Sequence, residues 1–411
     1  MKIRRIIKNI VLFFLPLYQY CLVQRLRRKK QINVVFFAMS LSMWRYQNLY
    51  KLLSKHSKFN CTVILVPCMS FTENQQIEDK KKLVTYFTET SVPYINGVKE
   101  DGSFVDIKKE IKPDLLFYPQ PYWDILPEIF SFRRFYKRLL CYYPYAFWRS
   151  KDDWSYNLNF HNFAWKLFYS TQLHKEDAIY YSNNHGRNVE VVGYPTADDF
   201  MDKHHEDVWK KSYSSKKRII WAPHFTICKD GYITQSNFMW MADFMLELAE
   251  KYSEKLQFAF KPHPRLFSEL CRNNEWGSLK TENYYSRWSN LENGQLEKGE
   301  FVNLFMTSDA MIHDSGSFGV EYHYSGNPVM YIADNFEEQV SEMAEFGQLA
   351  MRQHYVGKTK QDIIDFIENV VLKGDDLMKK SREQFMKDYL LPPNGKTVAQ
   401  NTMDVLLKAF C

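Results

Sequence analysis

The sequence predicts an α/β protein made of two doubly wound, parallel-sheet domains in series, and three observations predict it. Short apolar runs rich in β-branched and aromatic residues recur along the chain, separated by longer helical stretches. The runs are continuous rather than alternating, which is the pattern of strands covered by helices on both faces. The length of 411 residues is enough for two full cores.

The elements follow in chain order. In the first half, strands are expected at 32–39 (INVVFFAM), 61–66, 114–118, 139–143, 178–182 and 189–192. The turn Gly193-Tyr194-Pro195 ends that half. The polar stretch 198–217 reads as an interdomain linker with a short helix. A second series places strands at 218–222, 256–260, 310–312 and 329–332, with helices at 237–252, 361–371 and 398–410. These assign 1–30 as a membrane-association segment, 31–197 as a Rossmann-like acceptor domain and 218–380 as a Rossmann-like nucleotide-donor domain. The remainder, 381–411, is expected to form closing helices. No internal repeat or low-complexity segment interrupts the series. Ligands of doubly wound domains meet the carboxyl ends of the strands, so the two domains are expected to face a shared cleft.

Charge is uneven along the chain. The formal net charge is +6, yet residues 1–30 hold nine Lys and Arg and no acid. Setting those nine aside leaves 45 basic groups against 48 acidic ones, a formal −3 for the body. A general polyanion binder needs a basic body, so nucleic acid is excluded as a partner. Aromatic residues make up 17%, which suits a binding surface or membrane proximity. The cysteines, Cys21, Cys61, Cys68, Cys141, Cys228, Cys271 and Cys411, are odd in number and form no CxxC pair. Neither a disulfide framework nor a zinc site is expected, and a reducing compartment is.

The apolar stretch 10–23 is flanked by positive charge on both sides and contains Pro16 and Gln19. It is shorter than the ~20 residues a spanning helix needs. A basic run follows it where a signal peptide would have a small-residue cleavage site. The expectation is an interfacial anchor, with apolar residues at the headgroup boundary and Lys and Arg on anionic lipid. That places the protein in the cytoplasm, peripheral on the inner face of the cell membrane. A cleaved signal and an ordinary first helix packed on the body are the alternatives.

Chemistry concentrates at the strand ends of the second half. Segment 309–332, DAMIHDSGSFGVEYHYSGNPVMYI, reads as strand, small-residue turn, short helix, turn and strand. The turn Asp314-Ser315-Gly316-Ser317 opens the helix, leaving backbone N–H groups without partners where the helix dipole is positive; phosphate is the natural guest. Glu321 lies one helical turn beyond Ser317, where its carboxylate suits a ribose diol. A plain serine-capped junction is the alternative. Pro223-His224 and Lys261-Pro262-His263-Pro264-Arg265 close two further strands. In a parallel sheet all three loops open on one edge. His224 and His263 suit proton transfer or hydrogen bonding to a diphosphate, and Lys261 and Arg265 offset charge on a leaving nucleotide. His313 precedes the turn as a further contact. His323 reads as structural, and His204 and His205 as solvated. In the first half, Gln120 and Tyr122 follow one strand and Tyr143 another, where aromatic faces with polar tips suit a sugar or polyol; a packed apolar loop is the equal alternative. No HExxH, DxD, Walker or GxSxG motif occurs, so no metal or other cofactor is expected.

At these motifs the chain resembles the CDP-glycerol glycerophosphotransferase family, the teichoic-acid polymerase-like enzymes. The resemblance rests on PHF at 223–225, KPHP at 261–264 and TSDAMIHDSGSFGVEY at 307–322, with support from KPDLLFYPQPY and VVGYP. It implies a GT-B-type fold, with Ser315 and Ser317 on donor phosphate and Glu321 on the ribose. His263 matches the family's basic-site histidine, and His224 stands in a loop that varies within the family. The family often has two adjacent serines in the turn; here Gly316 separates them, as in the sugar-nucleotide enzymes. The implied function is a membrane-associated transferase. It would move glycerol phosphate or another alditol phosphate from a CDP-linked donor to a hydroxyl of a lipid-linked or polymeric cell-envelope glycan. A metal-independent GT-B glycosyltransferase using a UDP-, GDP- or CMP-sugar is the alternative, and a non-catalytic scaffold the third. An epimerase fits the fold but not the basic segment.

Overall fold

The computed structural model describes residues 2–212, 215–227, 236–316 and 318–411, and of residues 2–10 the backbone alone. The chain forms two compact units, Met1–Asp198 with Leu391–Cys411, and Asp199–Leu390.

The first unit holds a seven-stranded sheet. Its strands are β1 (Ile32–Ala38), β2 (Phe59–Leu65), β3 (Tyr94–Asn96), β4 (Leu115–Tyr118), β5 (Leu139–Tyr142), β6 (Lys166–Tyr169) and β7 (Val189–Val191). The order is β3-β2-β1-β4-β5-β6-β7, and every pairing is parallel. β1 lies at the centre because its residues from Val34 to Ala38 are buried on both faces, with Val34 opposite Cys61 on one side and Leu115 on the other. From β1 the chain winds outward to β3, then returns to β4 and winds the other way. The loops after β1 and β4 therefore diverge at the carboxyl edge, which is the topological switch point.

The expected strand at 178–182 is instead the end of a helix, Gln172–Tyr181. Thr171 caps it by accepting from His174 N–H, and His174 and Ala178, one turn apart, face the core. Tyr180 is 80% exposed, so the aromatic run that looked like a buried strand is partly a solvent face. The strand that precedes this helix, β6, is only four residues long and carries no pattern of its own. β3 is shorter still and leaves no pattern for the same reason.

The C-terminal stretch divides between the units. Residues up to Leu390 stay with the second, whereas the helix Val398–Phe410 returns to the first. Asp198 binds its amino end by accepting from Val398 N–H at 2.7 Å and Ala399 N–H at 3.0 Å. Arg27 holds its other end through the Lys408 and Ala409 carbonyls, each at 2.8 Å.

The amino-terminal segment is one helix, α1 (Lys2–Arg27). Leu12, Leu15, Val23 and Leu26 are buried against the first unit, and Arg187 donates to the Leu12 carbonyl. The opposite stripe is bare: Phe13 is 75% exposed, and Phe14, Leu17 and Tyr20 are exposed beside it. Half of the apolar stretch is thus an ordinary packed helix face, and half remains available. No helix of the described residues is long and apolar enough to cross a membrane. The six described cysteines are free.

The second unit repeats the architecture with β8 (Lys217–Ala222), β9 (Leu256–Phe260), β10 (Gly294–Leu296), β11 (Ala310–His313), β12 (Val329–Ile332) and β13 (Tyr355–Gly357). The order is β10-β9-β8-β11-β12-β13, again parallel throughout. The helix Phe238–Lys251 packs its apolar face on the sheet, with Phe238 and Phe260 stacked near Trp221 at centroid distances of 5.7 and 4.9 Å. Burying such rings contributes roughly 1.5–3 kcal/mol each and makes the sheet a rigid platform.

Candidate active site

The sheet order puts β9, β8 and β11 side by side, so the three chemistry-bearing loops emerge next to one another. The backbone continues the ladder past the strand ends: Lys261 N–H donates to the Trp221 carbonyl at 2.8 Å, and His263 N–H to the Pro223 carbonyl at 3.0 Å. This holds His224 beside His263, with ring centroids 5.2 Å apart. Phe225 packs on both rings at 4.4 and 4.5 Å, and the Arg265 guanidinium lies 4.1 Å over Phe225.

β8 and β11 flank the switch point of this unit, and Asp314 bridges it. One carboxylate oxygen accepts from His224 N–H at 2.6 Å and the other from Asn237 N–H at 2.5 Å. Asn237 in turn donates through its side chain to the Ile332 carbonyl at the end of β12. Burial pushes the Asp314 carboxyl up to about 7, against the pull of the two N–H donors. Asp314 is therefore a positioning residue that fixes the His224 loop. Expected on donor phosphate, it is enclosed instead.

The two histidines differ. His263 Nδ1 accepts from Arg265 N–H at 3.1 Å, so the neutral ring carries its proton on Nε2 and is a donor. Burial, with His224 and Arg265 adding to it, lowers its pKa to about 3, which keeps it neutral. His224 Nδ1 lies 2.9 Å from the Thr226 hydroxyl, which takes either hydrogen-bonding role, and 3.4 Å from Thr226 N–H. Thr226 N–H donates to Nδ1, so in this arrangement the neutral ring carries its proton on Nε2. Base action at Nε2 takes the other tautomer, in which the long backbone bond is given up and Nδ1–H donates to the Thr226 hydroxyl. Sequence reading missed Thr226 and Asn237; their signal is only their place after a strand-end histidine and before a helix.

The remaining second-unit residues fall into two groups. Ser315, Gly316 and Glu321 lie on the turn and helix that follow β11; Ser317 lies outside the described residues. The helix Phe318–Glu321 passes into a 3₁₀ turn, Tyr322–Ser325, and Gly326 closes it at φ 71°, where glycine carries no strain. His313 is buried below the turn rather than beside it. Its Nδ1 donates to the Ser315 carbonyl at 3.1 Å, and its ring packs on Tyr331 and His354. Lys261 is buried, donates to the Gly299 carbonyl at 2.7 Å, and has its pKa lowered to about 8 by desolvation, with Glu297 and Glu300 opposing. Arg265 is exposed and paired with Glu269. His323 is enclosed, as its reading as structural expects.

In the first unit, Gln120 and Tyr122 stand after β4, at the carboxyl edge. Gln120 is buried, and Tyr122 stacks on exposed Trp154 at 4.8 Å. Tyr143, expected on the acceptor, is a core residue instead. Its ring stacks on Tyr46 and its hydroxyl donates to Thr402 at 2.5 Å, so it has no free polar tip. A separate cavity of about 170 Å³, lined by Met39, Leu65, Cys68, Ile77 and Leu83 among others, holds none of the residues singled out in the sequence. Among the described residues no cluster of His, Cys, Asp and Glu could hold a metal ion.

No protein-family model matches the chain, and no curated protein matches it in sequence. Solved structures do match in fold. The wall teichoic acid polymerase TagF is 13% identical, covering 100% of this chain and 97% of its own, with a TM-score of 0.62. UDP-GlcNAc 2-epimerase from Neisseria meningitidis, bound to UDP-GlcNAc, is 16% identical over 92% of this chain and 100% of its own, with a TM-score of 0.58. A putative UDP-N-acetylglucosamine 2-epimerase from Listeria monocytogenes is 16% identical over 93% of this chain and 97% of its own, also at 0.58. These likenesses show a two-domain, GT-B-like α/β fold.

Asp314 makes a prediction about pH. The unfolded chain releases its proton near 3.8 and the folded chain near 7, so the folded state binds the extra proton between those values. Its contribution to stability is present in acid and is lost as pH rises through that window. In chemical denaturation from about pH 4 to about pH 8, the stability of the wild type relative to Asp314→Asn falls steadily; a pH-independent difference contradicts the assignment.

Proposed function

We propose that the chain is a membrane-peripheral transferase that moves an alditol phosphate from a CDP-linked donor to a hydroxyl of a lipid-linked or polymeric envelope glycan. The observation that carries this is the meeting of His224, His263 and the Asp314–Glu321 turn on adjoining strand ends of one sheet. In this reading the backbone of the turn holds the donor phosphates and Glu321 accepts from the ribose hydroxyls. His224 Nε2, oriented through Thr226, takes the proton of the acceptor hydroxyl as that oxygen attacks the β-phosphate. The bond from phosphorus to the bridging oxygen breaks, CMP leaves with the electron pair, and a phosphodiester forms. His263 Nε2–H donates to a phosphate oxygen, and the cationic Lys261 offsets charge there. The TM-score of 0.62 with TagF supports this reading, as does a TagF structure obtained after a CDPG soak.

A glycosyltransferase reaction is the second reading. The epimerase bound to UDP-GlcNAc favours it, as does Gly316 standing between the two serines of the turn. The donor would then be a nucleotide sugar, attacked at its anomeric carbon, with a nucleoside diphosphate leaving.

The bare stripe of α1 supports attachment to a membrane surface. Phe13, Phe14, Leu17 and Tyr20 form an apolar face, and Arg25, Arg28, Lys29 and Lys30 follow it in the chain. Apolar area at the headgroup boundary and cations on anionic lipid add their binding energies.

Three outcomes test these assignments. In a thermal-shift panel of CDP-glycerol, CDP-ribitol, CMP, UDP-sugars and GDP-sugars, CDP-alditols and CMP stabilise the protein selectively, by ~2.7 kcal/mol at 100 times the dissociation constant. Glu321→Gln weakens that response; a response to UDP- or GDP-sugars alone moves the second reading to the front. The kcat/KM for the donor falls above about pH 8, where Lys261 loses its proton, and Lys261→Met removes that limb along with most of the activity. Finally, the protein sediments with vesicles of anionic lipid but not with neutral ones, and Phe13→Glu with Leu17→Glu abolishes sedimentation. Equal sedimentation of this variant sinks the anchor assignment.

A further inference from the structure

The first unit carries an apolar cavity that neither its core nor the proposed chemistry uses. About 170 Å³ in volume, it lies where the adjoining strands β3, β2 and β1 end. Met39 follows β1, Leu65 and Val66 stand at the end of β2, and Asn96 closes β3. The helix Glu73–Glu89 forms one wall through Gln76, Ile77, Lys80 and Leu83. This is the carboxyl edge of a parallel sheet, where doubly wound domains take their ligands.

The walls are fixed. Val66 N–H donates to the Ala38 carbonyl at 2.9 Å and Gly97 N–H to the Leu65 carbonyl at 2.8 Å, so the floor continues the ladder. Met69 N–H donates to the Ile125 carbonyl at 2.7 Å, which pins the loop between β2 and the helix. Burial divides the lining in two. Met39, Leu65, Val66, Cys68 and Leu83 are buried and make the floor, whereas Glu73, Ile77 and Lys80 are exposed and mark the mouth. Apolar walls give water too few partners, so such a void stays dry. A dry void forfeits contacts along its lining, and a hydrocarbon guest restores them. An apolar cavity of about 150 Å³ admits benzene, so this one takes a chain of about six to eight carbons.

The mouth defines the head group. Lys80 is the one cation of the lining, exposed, with no ion pair or hydrogen bond among the described residues. Glu73 lies seven residues earlier on the helix, about two turns and 10 Å along its axis. Salt screens exposed charges at about that separation, so Glu73 does not cancel Lys80. Asn96 spends its Oδ1 on Val98 N–H and keeps Nδ2 as a second donor in the lining. The amino end of the helix takes no part, because Thr72 and Gln75 close it with a capping box. We propose that this cavity binds a short-chain anionic amphiphile, with the hydrocarbon on the apolar floor and the head group on Lys80 and Asn96 Nδ2. The site does not rest on the transferase reading.

The test is calorimetric titration of butyl, hexyl, octyl and dodecyl phosphate into the full chain, each below its micellar concentration, with 1-octanol and inorganic phosphate beside them. Affinity rises about fourfold per methylene as far as octyl and then levels, because the cavity is full. Inorganic phosphate does not bind, and 1-octanol binds about tenfold more weakly than octyl phosphate. Lys80→Gln brings octyl phosphate down to the level of 1-octanol, and Ile77→Asp weakens both. Each of these side chains is exposed, so both variants fold. The bare stripe of α1 also attracts alkyl chains, so Phe13→Glu with Leu17→Glu is titrated in parallel and leaves octyl phosphate binding unchanged. Affinity that climbs on to dodecyl, equal binding of 1-octanol and octyl phosphate, unchanged binding in Ile77→Asp, or loss in the α1 variant overturns the site.

Discussion

The buried Asp314 carboxyl is the constraint on which the second unit's chemistry depends. Parallel strands diverge at a switch point, and nothing in the ladder itself holds the loops after β8 and β11 together. Asp314 does so with two short bonds, to His224 N–H and Asn237 N–H. Because it grips backbone, it fixes where the His224 ring starts without bonding to the ring itself. His313 supports the same turn from below through the Ser315 carbonyl, and Asn237 reaches on to β12. The cost of burying a carboxyl is offset by a geometry that solvated loops could not keep.

The first unit meets the same topological problem with different chemistry. There a phenol crosses the switch point, Tyr46 to the Tyr118 carbonyl, and its ring packs among Phe36, Phe117 and Tyr143. An aromatic clasp brings no charge of its own. In the second unit the clasp is ionisable and the nearby loops carry imidazoles. Two sheets of the same order therefore present different edges, one carrying a buried carboxyl beside two imidazoles, the other a buried phenol.

The legible part of the fold was its strong strands. β1, β8, β9, β11 and β12 carry three or more apolar residues in a row and match the expected bounds to within a residue, as does the helix Val398–Phe410. Strands of three or four residues, such as β3 and β13, leave too short a pattern to separate from loop. The strand expected over 178–182 is the end of the helix Gln172–Tyr181, because the aromatic run there hides the cap at Thr171. The candidate site was legible as strand ends, which the parallel order brings together. Its wiring was not, because Asp314 and His224 are 90 positions apart and nothing local marks their bond. Tyr143 and Gln120 each follow a strand in the same way, and only packing distinguishes the enclosed phenol from the unsatisfied amide.

The most direct measurement follows phosphorus. Purified protein is incubated with CDP-glycerol and a glycolipid primed with glycerol phosphate, and the mixture is read by ³¹P nuclear magnetic resonance. The account predicts that the diphosphate signals decay while a phosphodiester signal on the lipid and the monoester signal of CMP rise in equal amounts. Persistence of the CDP-glycerol diphosphate, together with release of a nucleoside diphosphate from a nucleotide sugar on the same acceptor, would contradict it.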